Sequence, residues 1–178
     1  MPGFHFQSEN IMSSVTLTPC LAFDKEAEEA ANFYTSVFKN SQVTKVVRWS
    51  KVAADITGHD INDAMVIVFE LDGRKFTALN GLPHYTFNPA VSFQIECANQ
   101  GEVDYYWEKL TEGGDETKQA CGWLQDKFGL SWQIFPKELP QIMDDEDSER
   151  KERASAAMMK MKKIDIAALR RAADGQDV

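Results

Sequence analysis

The chain has 178 residues, 43% of them hydrophobic, with 28 acidic against 19 basic side chains and a formal net charge of −9. This is the size and composition of one compact unit with a sizeable core, and so acidic a chain argues against nucleic-acid binding through a broad basic surface. No apolar run approaches the roughly 20 residues that span a bilayer, so no membrane partner is expected. The three cysteines, Cys20, Cys97 and Cys121, have no metal-like spacing, and the start MPGFHFQSENIMSS lacks a basic stretch followed by an apolar one. Both features favour a reduced, cytoplasmic setting.

Residues 1–14 read as an irregular segment. VTLTPCLAF (15–23) reads as a strand, with Pro19 marking an edge or a bulge. DKEAEEAANFYTSVF (24–38) is a helix with Asp24 as its expected N-cap; Ala27, Ala30, Ala31, Tyr34 and Phe38 recur on one face. SQVTKVVRW (41–49) alternates like a strand, and residues 50–63 read as a long polar loop holding Gly58, suited to a mobile lid. AMVIVFEL (64–71), an Asp-Gly turn and KFTAL (75–79) form a hairpin. The order then restarts. AVSFQIEC (90–97) is a strand, GEVDYYWEKLTEGG (101–114) a helix, and TKQACGWLQDKFGLSWQIFP (117–136) two strands around a Phe-Gly turn. A shift of 73 positions lays Glu29, Phe33, Tyr34 and Val37 on Glu102, Tyr106, Trp107 and Leu110, which points to a repeated α+β module. After Pro140 the composition changes to two helices, with Ser148 and Asp165 as caps. Residues 15–81, 82–140 and 141–178 are therefore expected to be first module, second module and helical tail of one domain.

The stretches LTPCLAFDKEAEEAANFYTSVF, FTALNGLPHYTFNPAVSFQIEC, EVDYYWEKLTEGG, CGWLQDKFGLSWQIFP and MKMKKIDIAALRRA resemble the vicinal oxygen chelate superfamily. This is the glyoxalase, bleomycin-resistance and extradiol-dioxygenase group, and the likeness is to its PhnB-like, demethylubiquinone-methyltransferase-like branch. The resemblance implies an α+β fold in which two βαβββ modules form an incomplete barrel, with two modules making one pocket. It also implies a homodimer, an assignment to which the methionine-rich tail adds an apolar surface. The methyltransferase label finds no support in a Gly-rich strand-to-helix loop of the kind that cradles a nucleotide cofactor.

Metal-using members of the superfamily hold a divalent ion with His, Glu or Gln from the first and last strands of each module. The ion polarises vicinal oxygens of the substrate. The resemblance carries these places onto Thr18 or Cys20, Thr77 or Asn80, Ser92 or Gln94, and Gln133. Glu96 shares the alternating face of Ser92 and Gln94. Neutral amides and hydroxyls are weak ligands beside imidazole, thiolate and carboxylate, so no metal and no other cofactor is expected. Gln133 then serves as a pocket group that both donates and accepts. Trp123 is placed as a pocket wall, and Trp132, next to Gln133 on an alternating strand, as core.

Other chemistry-bearing residues read as structural. Cys20 and Cys121 have no histidine close in sequence, His59 and His84 fall in loops, and Asp144–Asp147 precede a helix as a solvated acidic face. The expectation is a protein that binds a small organic molecule without a tightly held metal. The alternatives are a metal-dependent lyase, isomerase or dioxygenase-like enzyme acting on a vicinally oxygenated substrate, and a structural dimer with a vestigial pocket.

Overall fold

Proline cannot donate to a ladder, so the first strand begins after Pro19. In the computed structural model, which describes residues 15–176, β1 is Cys20–Ala22 rather than the whole of residues 15–23. Val15 and Leu17 before it are exposed. Residues 1–14, read as irregular, lie outside the described residues.

Helix α1 (Ala27–Val37) buries Ala27, Ala30, Ala31, Tyr34 and Val37 on one face. Asp24 does not cap it. The N-cap position is Glu26, which makes no side-chain cap bond, and the first-turn amide of Ala27 donates instead to Asn80 Oδ1 at 2.9 Å, from 53 residues away. A tertiary partner thus replaces the local cap.

Strand β2 (Gln42–Arg48) leads into α2 (Lys51–Thr57), so the segment read as a polar loop is partly helical. Ser50 accepts from Ala53 N, and Gly58 at φ +77 ends the helix in the left-handed region. Its apolar residues Val52 and Ile56 stay exposed, which is why no buried face announces the helix. The hairpin β3 (Ala64–Leu71) and β4 (Arg74–Leu79) turns through Asp72 and Gly73, both at positive φ. The sheet order is β1-β4-β3-β2, with β1 parallel to β4.

The second module repeats this order without its last strand. β5 (Ser92–Cys97), α3 (Gln100–Thr111), β6 (Trp123–Gln125) and β7 (Ser131–Pro136) give the order β5-β7-β6, with β5 parallel to β7. Helix α3 starts 73 residues after α1, as the sequence repeat requires. Where a counterpart of β2 would fall, Glu116–Lys118 form a single 3₁₀ turn.

Both helices and one face of each sheet share a core. Phe76 meets Phe93 at 5.3 Å between ring centroids, and Trp132 meets Tyr34 and Phe38 at 5.5 and 5.4 Å. The opposite sheet faces therefore point away from this core.

The tail forms α4 (Leu139–Met143), α5 (Ser148–Met158) and α6 (Ile166–Ala173). Asp147, not Ser148, caps α5, and Asp165 caps α6. Ile164, Leu169, Ala154 and Ala173 make a satellite core. The tail is tied to the second module by Gly122 N donating to Lys162 O and Cys121 N to Met161 O, both at 2.8 Å. Gln100 adds bonds to Ile164 O and Ile166 N. Among the described residues no helix is long and apolar enough to cross a membrane.

Candidate functional site

The register of β5 on β7 pairs Ser92 with Ser131, Phe93 with Trp132 and Gln94 with Gln133. Alternation sends Phe93, Ile95, Trp132 and Ile134 into the core and Ser92, Gln94 and Gln133 to the other face. Trp123 pairs with Gln133 from β6 and stands on that same face. The amides form a directed chain: Gln94 Nε2 donates to Gln133 Oε1 at 3.3 Å, and Gln133 Nε2 donates to Ser92 Oγ at 2.8 Å. This leaves the Gln94 carbonyl as a free acceptor and the Ser92 hydroxyl free to donate outward.

The remaining proposed site residues lie in the first module. Cys20 pairs with Thr77 across β1 and β4 and is exposed. Thr18 precedes β1, half-buried and outside any strand. Asn80 is different: it is 7% exposed, and its amide is used at both ends, accepting from Ala27 N and donating to Ala64 O at 2.9 Å each. Asn80 is a structural bolt between α1 and β3, and its placement as a pocket-lining residue is corrected on that ground. Ser92, Gln94, Gln133 and Trp123 are brought together; Thr18 and Cys20 belong to a separate sheet edge.

A divalent ion does not fit this donor set. The amides bond each other, Asn80 is committed to backbone, and besides the single exposed carboxylate of Glu96 the face offers hydroxyls and amides where zinc, nickel or iron call for several imidazole, thiolate or carboxylate ligands. Among the described residues no group of three or more His, Cys, Asp or Glu side chains is placed to hold a metal. Of the acidic run, Asp145 pairs with Arg150 and Asp147 caps α5. None of the strand-to-helix turns after β1, β2, β5 and β7 contains glycine, so none resembles a phosphate cradle.

The other candidates also have structural roles. Burial, with the Glu102 carboxylate beside it, pushes the Cys97 thiol up to about 12, which removes it as a nucleophile. Cys121 Sγ lies 3.8 Å from Met159 Sδ. His59 stacks on Trp49 at 4.5 Å, with the planes 11° apart, and His84 is exposed.

Two features were not legible in the sequence. The first is Asp126, 2% exposed. Its Oδ2 accepts from Tyr34 Oη and Trp132 Nε1 at 2.8 Å each, and its Oδ1 from the amides of Phe128 and Leu130 at 2.9 and 3.0 Å. Burial holds its carboxyl above the ordinary range against the pull of these donors. Burial, followed by the Asp126 charge, raises the Tyr34 phenol well above its own range. The second is a cleft of about 590 Å³ between the modules, which reaches the amide face at Gln94 and has Phe38, Phe93, Tyr106 and Trp132 among its walls.

The family model described as 3-demethylubiquinone-9 3-methyltransferase matches residues 15–135. A PhnB protein from Bacillus cereus is 30% identical over 68% of this chain and 99% of its own, with a TM-score of 0.60. Two further structures share the fold alone. One is a protein from Pseudomonas aeruginosa, 19% identical over 69% of this chain and 98% of its own, with a TM-score of 0.55. The other is the fosfomycin resistance protein FosX from Mesorhizobium loti, 11% identical over 75% of this chain and 100% of its own, with a TM-score of 0.52. No curated protein matches the sequence.

Proposed function

The chain belongs to the 3-demethylubiquinone-9 3-methyltransferase family, a PhnB-like branch of the vicinal oxygen chelate superfamily, and from that premise we propose that it binds a small organic molecule on the amide face of its second module without a tightly held divalent ion. One observation carries this reading. The positions that resemblance assigns to metal ligands are occupied by Ser92, Gln94 and Gln133, which hydrogen-bond one another. Such a chain orients a neutral polar ligand through one acceptor and one donor. Trp123 on the same face supplies an apolar wall.

The amide face of the second sheet and the Cys20–Thr77 face of the first both point away from the shared core, so one copy does not close a pocket between them. A homodimer that brings one copy's first sheet over the other's second sheet would complete it and would add Thr18, Cys20 and Thr77 to the site. Three unpaired cysteines suit a reduced, cytoplasmic setting.

The test is a melting screen with neutral aromatic compounds bearing vicinal hydroxyl or carbonyl groups, run on the unmodified protein and on Gln133→Ala. A ligand that binds only the folded state must raise the melting temperature. The reading expects such a rise in the unmodified protein and its loss in Gln133→Ala. A rise of equal size in both proteins refutes the site. The oligomeric state by sedimentation tests the dimer, and a monomer at all concentrations refutes pocket completion by a second copy.

A further inference from the structure

We propose that the cleft between the modules, which meets the amide face at Gln94 and Glu96 but is not lined by Ser92, Gln133 or Trp123, is a second binding site, and that it takes an organic cation with a flat apolar body. The cleft holds about 590 Å³, a volume in the range of small-molecule sites. Its walls are aromatic. Phe38 lies 5.2 Å from Tyr106 and 5.4 Å from Trp132, with planes only 30° and 31° apart, and Phe93 meets Trp132 at 5.5 Å. The Tyr106 hydroxyl makes no hydrogen bond among the described residues, so it is left for a ligand. Ring faces stacked around a cavity attract cations through their quadrupoles.

The charges select the sign of the ligand. Asp72, Glu96 and Glu102 line the cleft against Lys39 and Arg74. Lys39, Arg74, Asp72 and Glu96 are all on exposed residues, whereas Glu102 is half-buried at the first turn of α3, where it accepts from Ala98 N at 2.8 Å. Burial raises the Tyr106 phenol above its ordinary range, and the Glu102 and Asp72 carboxylates add to the rise. None of Asp72, Glu96, Lys39 and Arg74 makes an ion pair among the described residues, so with Glu102 the cleft keeps a net negative charge. An anionic ligand could reach Lys39 and Arg74 at the exposed rim but would meet the Glu102 carboxylate at the half-buried end.

The experiment compares N-methylquinolinium with 1-naphthoate, a cation and an anion of similar size and shape, by calorimetric titration of the full-length protein. The variants Asp72→Asn and Glu102→Gln each remove one charge while keeping the side-chain shape. The amide carbonyl that replaces the Glu102 carboxylate can still accept from Ala98 N, and asparagine tolerates the positive φ of residue 72. Glu146→Gln on the exposed acidic run is the charge-matched control. The proposal expects the cation to bind at least about ten-fold tighter than the anion, and each cleft variant to weaken it about five-fold. Glu146→Gln should leave the affinity unchanged. Equal affinity for both probes, absence of binding at millimolar concentration, or an affinity indifferent to Asp72→Asn and Glu102→Gln would overturn it. Binding lost in Gln133→Ala but kept in the cleft variants would place the probe on the amide face and equally overturn it.

Discussion

Replacing Asp126 by asparagine keeps the shape of a 2% exposed side chain and removes its charge. The substituted carbonyl would stay on the amides of Phe128 and Leu130, which leaves an NH2 facing Tyr34 Oη and Trp132 Nε1. Tyr34 can turn its hydroxyl to accept. The indole N–H can only donate, so it is orphaned, and a buried unsatisfied donor costs about 1–3 kcal/mol. The penalty should depend on pH in a defined direction. Burial raises the Asp126 carboxyl above its unfolded value, so the folded state holds this proton more tightly than the unfolded state does. The stability that Asp126 contributes is therefore full below its unfolded value near 4 and is lost as pH rises through the folded one. Protonated, the acid accepts from Trp132 and donates to Tyr34, which asparagine cannot do. Urea unfolding of both proteins between pH 4 and pH 8 reads the difference directly. The gap should be widest in acid and narrow toward neutral pH. A gap that widens with pH would refute the reasoning, because it would show the four donors holding the carboxyl below its ordinary range.

Gln133→Glu should leave the fold nearly intact, with a loss under about 1 kcal/mol by thermal melting. Residue 133 is half-buried, Gln94 can still donate to it and Ser92 can reverse its hydroxyl. Gly122→Ala should cost about 2 kcal/mol or more in urea unfolding, since φ is +82° and the new Cβ would lie 2.6 Å from Ile134 O. Truncation after Pro140 should lower stability by at least about 3 kcal/mol, from the lost burial of Ile164 and the lost bonds to Cys121, Gly122 and Gln100. A truncated chain as stable as the full one would remove the role assigned to the tail.

The elements with a periodic face were legible in the sequence, and so was the repeat that relates them. Tyr34 and Trp107 answer each other at the 73-residue shift because α1 and α3 each turn one face to the same core. That Gln133 and Trp132 point to opposite sides followed from alternation, and the β7 register places them so. Helix α2 was hidden because its apolar residues stay on the surface. The lone Ser50 cap and Gly58 stop are weak signals within a polar-looking stretch. Asp126 was hidden for another reason. In QDKFG it reads as an ordinary turn acid, and its enclosure depends on a tertiary partner, Tyr34, 92 residues earlier. The cleft has no local signature, since its walls come from the residues just after α1, the β3–β4 hairpin, β5, α3 and β7. Asn80 misled because a polar residue at a ligand position has the same sequence pattern whether it faces a pocket or caps a distant helix.

The central claim is that the amide face works without a held metal. The most direct measurement is elemental analysis of the purified protein after incubation with zinc, nickel, manganese and ferrous iron and removal of the excess by gel filtration, alongside Gln133→Ala. The account expects well under one equivalent per chain for every metal and no difference between the two proteins. One equivalent of any of them in the unmodified protein, absent from Gln133→Ala, would contradict it.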